Sequence, residues 1–422
     1  MCREQPYLNG DYAGDQPAAW FRMSRTDSNA SRTGSDRIPI DGHAQSAEPA
    51  FEKGTPAGAT KTMRAAQYLL AYSVPLLVAA TLGRGDWSVW IPVLYGFLFV
   101  PALELLVGPA AGNLGAEAED EARRSRLYSL ILWSFVPIQY GLIYYFGWLI
   151  SQGVPHGFVL IGMVLSMTLS NGGIGITIAH ELVHRRRRWE RWLGESLLAS
   201  VLYMHFSIEH VRGHHAQVAT VHDPATARRG QSVYHFWWPS VWGQLRSAWN
   251  LETVRLGKLK RSVWSPHNKL LWFAGWQLAL CLAITLRFGP IFLGIFVLTS
   301  ILSFSLLEVV NYIEHYGLQR ERRSDGSYQR VTTAHSWNSN AIISRCLLFE
   351  LTRHSDHHAV ASRPYQILRT HSDAPQLPTG YSGMILLALI PPLWFRCMDP
   401  RLPPQPSSGG KAGPVATHAE GS

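Results

Sequence analysis

Nine of the chain's 18 histidines fall into four tight groups. His180 and His184 stand four apart in HELVH; His210, His214 and His215 crowd EHVRGHH; His315 lies in NYIEHYGL; His354, His357 and His358 fill RHSDHHA. Residues four apart share one face of a helix, so His180 with His184, and His210 with His214, are each expected to point at one ion. His354, His357 and His358 span a narrow arc of one turn. Neutral imidazole is a common ligand of transition metals, and nine rings exceed what one ion binds, so the set suits two ions; spacing alone does not choose the metal. Glu181, Glu209, Glu314 and Asp356 each adjoin one of these histidines. They are candidates for the carboxylates that orient a ligating ring through its other nitrogen. His43, His156, His235, His267, His371 and His418 read as ordinary surface or core residues, while His205, His222 and His335 lie near the groups and are left open. HELVH also fits the H-E-x-x-H zinc protease helix, with Glu181 as general base. That rival needs one further ligand and leaves the HxxxHH and HxxHH groups without a role.

What must position these rings is a membrane bundle. Charged residues make up 16% of the chain and hydrophobic residues 47%, and the apolar ones cluster into long runs, the pattern of a membrane protein. Polar ends dilute that core to a mean hydropathy near zero. Six stretches approach the ~20 apolar residues a span requires: 65–82, 87–107, 127–150, 157–179, 270–286 and 288–310. The links at 83–86 and 151–156 are short, and 287–290 is a tight turn. The links at 117–126 and 180–269 are long and charged, the latter holding five arginines within HRRRRWERW (184–192). An excess of Lys and Arg marks cytoplasmic loops, so both termini and all four histidine groups are expected on the cytoplasmic side. The stretch 383–395 is short and broken by Pro391 and Pro392, and reads as interfacial or packed against the bundle rather than as a seventh span. The expected fold is all-α, an integral membrane bundle of six transmembrane helices with a cytoplasmic histidine-rich site. It divides into a disordered extension at 1–61, a membrane-embedded domain at 62–402 and a disordered tail at 403–422.

The net charge is +9. Residues 1–61 carry seven basic and eight acidic side chains and lack the pattern of a signal peptide, so the excess lies in the domain. There the arginine run directly follows an apolar stretch, which fits a membrane helix end and not a nucleic-acid surface. Cys2, Cys281, Cys346 and Cys397 are far apart with no CxxC pair, which argues against a disulfide framework and against a built-in iron–sulfur or rubredoxin-type centre. Electrons for any redox chemistry would come from another protein.

HELVHR, EHVRGHHAQVAT, DPATAR, NYIEHYGL, HSWNSN, RHSDHHA and LPTGYSGMILLALIPPLWFRCMDPR occur in that order. Over about residues 63–402 they resemble the integral-membrane alkane 1-monooxygenase family, within the membrane fatty-acid desaturase and hydroxylase superfamily. NYIEHYGL is the most specific of them, because general desaturases lack it. The resemblance implies a non-haem di-iron centre of two iron ions held by His180, His184, His210, His214, His215, His315, His354, His357 and His358. It implies hydroxylation of the terminal methyl of n-alkanes to 1-alkanols with O2, a step of alkane degradation. It implies electrons from rubredoxin, itself reduced by rubredoxin reductase with NAD(P)H, and a multi-pass place in the bacterial inner membrane with the metal site cytoplasmic. Related enzymes that hydroxylate aromatic methyl groups of the xylene or cymene type, and acyl-lipid desaturases or hydroxylases, are the alternatives. The chain departs from the family at Thr352, where glutamine is usual, and at His222, where an acidic residue is common; its amino-terminal extension is also longer than usual. An alkane offers only apolar contacts, so pocket length sets preference. Trp87, Trp90, Phe97, Tyr140, Tyr144 and Met163 are candidate lining residues, and NGGIG (171–175) is a candidate close helix contact. The arginine cluster fits either docking of an acidic rubredoxin or anchoring at lipid headgroups.

Overall fold

The computed structural model describes residues 61–404. The extension at 1–61 and the tail at 403–422 thus lie, but for their edges, outside the described residues. Among the described residues the regular structure is helical, with three isolated bridge pairs. Six helices are long and apolar enough to cross a membrane: Thr62–Leu82, Trp87–Val107, Leu127–Gln152, Phe158–Val183, Lys269–Phe288 and Pro290–His315. They are the six stretches expected from hydropathy. The fourth and sixth, however, run on past their apolar residues. Hydropathy marks where hydrocarbon ends, whereas a helix continues as long as its backbone bonds do. His180 and His315 therefore sit on the last turns of spans and not on loops beyond them.

The fourth and sixth spans make the central contact. A Cβ built on Gly172 would fall 2.6 Å from the Ser303 carbonyl oxygen, so the two backbones meet with no side chain between them. On the sixth span Thr299, Ser300 and Ser303 are buried there, and their hydroxyls donate to the carbonyls four residues back at 2.7–2.8 Å. This satisfies each hydroxyl within its own helix. Beyond the fourth span the chain reverses into helix Arg188–Ala199, which packs Gly194 against the Ala179 carbonyl. Segment 383–395 forms two short helices, Tyr381–Ala388 and Pro391–Met398. Trp394 is buried against Tyr312 and Tyr316 of the sixth span, with ring centroids 5.0 and 5.3 Å apart. It is packed against the bundle, as its length and prolines predict.

Among the described residues three segments adopt the wide π-type turn: Tyr95–Phe99, Leu169–Gly175 and His210–His214. Such turns are rare and concentrate at functional sites. The approach to the last histidine group is also unusual. Phe349 and Glu350 both have positive φ, 50° and 57°, a conformation that side chains resist and that persists only where surroundings over-determine it. The Glu350 carboxylate supplies that constraint. It accepts from Tyr68 Oη at 3.0 Å and Arg345 Nε at 2.7 Å, and Arg353 Nε lies at 3.3 Å. Arg353 in turn donates to the carbonyls of Leu368 and Gly112. The corner that launches His354–Ala359 is thereby tied to the first span.

Candidate metal centre

The nine imidazoles converge where the ends of the fourth and sixth spans meet segments 205–217 and 353–359. They form two groups, within each of which the nearest ligand atoms all lie within 4.8 Å of one another: His180, His184, His210, His215 and His357; and His214, His315, His354 and His358. One expectation fails. His210 and His214 do not share a group, because the backbone between them winds as a π-type turn. A wider turn aligns residues five apart, so His215 meets His210, with Nε2 atoms 3.1 Å apart, and His214 swings to the second group. The histidines of RHSDHHA are divided too: His354 and His358, four apart, face each other at 2.9 Å, while His357 joins the first group.

The donor set fits a pair of metal ions. His180 Nε2, His184 Nε2, His214 Nε2 and His357 Nε2 are buried without any hydrogen-bond partner. Buried polar atoms are rarely left so unless something else satisfies them. Pairs of Nε2 atoms stand 2.9, 3.1 and 3.2 Å apart. Two nitrogens each roughly 2.1 Å from one ion and at right angles would be about 3.0 Å apart. Outside the spans, burial holds His184 down to about 4, and holds His210, His215, His354, His357 and His358 well below the usual range, helped by their neighbouring rings. Burial thus favours the neutral ring, the form whose lone pair can bind a metal. At His214 burial again disfavours charge, but Asp223 outweighs it and the ring is raised.

The carboxylates are arranged differently from their sequence neighbourhoods. Glu181 pairs with Arg185 at 2.8 Å and accepts from the Tyr365 backbone. Asp356 is engaged by Arg363 at 2.5 Å, His371 Nε2 at 2.8 Å and the Arg369 backbone. Glu209 is buried without a partner for either oxygen, and burial followed by the nearby Asp223 raises it to about 8. Glu314 alone of the four reaches a ring of either group: Oε2 lies 3.2 Å from His354 Nε2 while Oε1 accepts from Tyr381 Oη at 2.7 Å. The carboxylate that orients a ring was missed. Asp223 accepts from His214 Nδ1 at 3.0 Å and is held by the Thr226 hydroxyl and the Ala225 backbone. Adjacency could not find it, because it lies nine residues along the chain; its place in DPATAR, one of the motifs that carry the resemblance, was the available signal. Of the remaining histidines, His205 meets Tyr203 edge-on, His222 meets Tyr328 edge-on, and His335 caps its own turn at Thr332; none joins either group.

An apolar cavity of about 70 Å³ is lined in part by both groups, by His180 and His210 of the first and by His354 of the second, with Glu314 beside it. The π-type turns of the second and fourth spans form its wall through Tyr95, Gly96, Phe97, Leu169 and Gly173, opposite Leu306 and Val310 of the sixth. Of the six lining candidates only Phe97 is there. Trp87 and Tyr144 face outward, Met163 is in the core, Trp90 packs on Phe158, and Tyr140 lines a separate lateral groove. Hydropathy assigned these residues to spans, but gave no helix rotation.

Comparison with known proteins adds a family. The fatty acid desaturase family model matches residues 154–387. Alkane 1-monooxygenase 2 of Pseudomonas aeruginosa is 40% identical over 315 residues, covering 74% of this chain and 84% of the relative. Alkane 1-monooxygenase of Acinetobacter baylyi is 40% identical over 305 residues, 72% and 74% of the two chains. The xylene/toluene monooxygenase hydroxylase component of Pseudomonas putida is 32% identical over 239 residues, 56% and 62% of the two.

Proposed function

The chain belongs to the alkane 1-monooxygenase family of membrane oxidoreductases, and from that premise we propose that it hydroxylates the terminal methyl of n-alkanes to 1-alkanols with O2 at a non-haem di-iron centre. Seven relatives named alkane 1-monooxygenase, at 37–40% identity, support alkane hydroxylation. The observation that carries the proposal is the apolar cavity that residues of both imidazole groups help to line. We assign the metal ligands as His180, His184, His210, His215 and His357 for one ion and His214, His315, His354 and His358 for the other. Two bound irons would supply the O2 activation and C–H cleavage that side chains cannot perform.

The chain's own residues do the rest. Leu169, Leu306, Leu307 and Val310 give a linear chain only apolar contacts, so it can slide until its end meets the imidazoles. The π-type turns hold that bore open while Gly172 keeps the fourth and sixth spans in contact beside it. Asp223 holds the proton on His214 Nδ1, which leaves Nε2 to face the group. Glu314, held by Tyr381, stands where the cavity meets the second group. The apolar wall excludes water from that junction.

In this reading electrons arrive from rubredoxin, reduced by rubredoxin reductase with NAD(P)H. The protein lies in the bacterial inner membrane with both termini and the metal site cytoplasmic. The reaction is tested by feeding n-alkanes of graded length, and separately xylene, to membranes carrying the protein, with rubredoxin, its reductase, NADH and isotope-labelled O2. Labelled 1-alkanol is the expected product. Labelled benzylic alcohol from xylene, with no alkanol from any alkane, would overturn the substrate assignment in favour of aromatic methyl groups.

A further inference from the structure

Helix Val233–Lys258 is not among the six spans, yet it has three distinct sides. Its inner side is mixed: Val233, Phe236, Ala248 and Leu256 are buried there beside the polar Ser240, Gln244 and Glu252. Ser240 and Gln244 are buried and donate to the Glu308 carboxylate of the sixth span at 2.6 and 2.9 Å. Trp237 Nε1 donates to Ser305 of the same span at 3.0 Å. A second side, with Pro239, Arg246, Ser247 and Asn250, lines a wide cleft of polar and apolar character. The third side is an aromatic edge. Tyr234, Trp238 and Trp242 follow one another at four-residue steps and are 61%, 64% and 59% exposed; Leu245 continues the edge. The rings of Trp238 and Trp242 lie parallel, with centroids 6.5 Å apart.

A helix in water would keep its large aromatic rings covered, whereas this one turns a row of them outward. Its depth is set by the sixth span. Ser305 and Glu308 stand ten and seven residues before the end of that span at His315, or roughly 10–15 Å along the helix axis. The bonds to them place the helix beside the membrane-crossing part of the bundle. Two more exposed tryptophans, Trp272 and Trp276, occupy the first turns of the fifth span. Trp264 packs beside Trp249 of the helix itself, at 5.6 Å between centroids. Tryptophan and tyrosine concentrate at the headgroup level, where an amphipathic ring meets both phases.

We propose that Val233–Lys258 is an interfacial helix whose Tyr234–Trp238–Trp242–Leu245 edge is seated in the lipid leaflet, with its Arg246–Asn250 side in water. The occupant of the aromatic edge is lipid and not a second copy of the chain. The helix also reaches the metal centre's support. Glu252 pairs with Arg212 at 2.9 Å, inside the His210–His214 turn, and a Cβ on Gly213 would meet Ser247 at 3.0 Å. The seated helix thus fixes the level of that turn relative to the membrane.

The test uses the full chain in proteoliposomes and compares its tryptophan emission with that of the Trp238→Phe/Trp242→Phe variant. The difference between the two reports these rings alone. Lipid brominated near the headgroup end of its acyl chains should lower that difference signal at least about twofold, since contact quenching needs the ring in the leaflet. Aqueous iodide should leave it unchanged. Quenching by iodide with no effect of bromolipid would place the edge in water and overturn the proposal. Protection from both quenchers would place it in a protein interface and overturn it equally. If the double variant does not accumulate in membranes, Trp242→Phe alone gives the same reading.

Discussion

Gly172→Ala isolates the link between span packing and the metal centre. The added Cβ would meet Ser303 backbone atoms at 2.6, 2.8 and 3.1 Å, where ordinary contact begins at 3.4 Å. Backbone cannot rotate aside as a side chain can, so the spans must separate by up to about 0.8 Å, the shortfall of the closest contact. Overpacking of this kind costs about 1–3 kcal/mol. Alanine's better helix propensity returns at most ~1 kcal/mol, so the clash decides the sign. The two displaced helices carry His180 and His315, one in each imidazole group. Metal–ligand distances tolerate only about 0.2 Å, and a tenfold loss of affinity corresponds to ~1.4 kcal/mol, so roughly tenfold weaker metal retention is expected. Iron per chain is measured after equilibration against graded chelator, beside the melting temperature. Gly173→Ala is the control, because its Cβ would meet only Leu169 and Leu306 side chains at 3.4 and 3.8 Å; it should hold iron as the parent does. Parent-like iron retention in Gly172→Ala would refute the reasoning. Equal loss in both variants would shift the cause from contact to the π-type turn itself.

Asp223→Asn removes the charge that orients His214, and metal affinity at the second group should fall about 10–100-fold, read as partial metal occupancy in a chelator titration. Glu181→Gln should keep both metal ions and most hydroxylation, because Glu181 faces Arg185; complete loss of activity with one zinc bound would favour the protease reading. Glu252 is buried, which alone would raise its carboxyl, but hydrogen bonds from Arg255, the Lys269 backbone and Arg212 outweigh that and bring it down to about 2 from 4.5. A depressed carboxyl stabilises above its unfolded value, so the melting-temperature gap between the parent and Glu252→Gln should be full above pH 4.5 and close as pH falls toward 2. A gap that stays constant through that window would mean Glu252 acts by packing and not by charge.

The spans were legible because twenty apolar residues in a row have few other uses. The nine histidines were legible because buried imidazole clusters are costly without a ligand. Their division between two groups was not. It depends on whether His210–His214 winds with 3.6 residues per turn or more, and no residue in HVRGH announces the wider turn. Nor were the carboxylates legible. Glu181 and Asp356 sit beside histidines in the chain but answer to Arg185 and Arg363, whereas Asp223 reaches His214 by folding back. The same limit applies to the cavity wall. Phe97 was foreseen and Gly173, Leu306 and Val310 were not, because helix rotation and the two bulges are settled by packing among spans. The Val233–Lys258 helix escaped notice because its aromatic edge is only one of its three sides, which leaves its average hydropathy unremarked.

The metal count per polypeptide in the purified, active protein tests the central claim most directly. Two iron ions per chain are expected, falling toward one when His315→Ala weakens the second group while the first stays intact. One metal ion per chain in fully active protein, or activity unchanged in His315→Ala, would contradict a centre built from nine imidazoles.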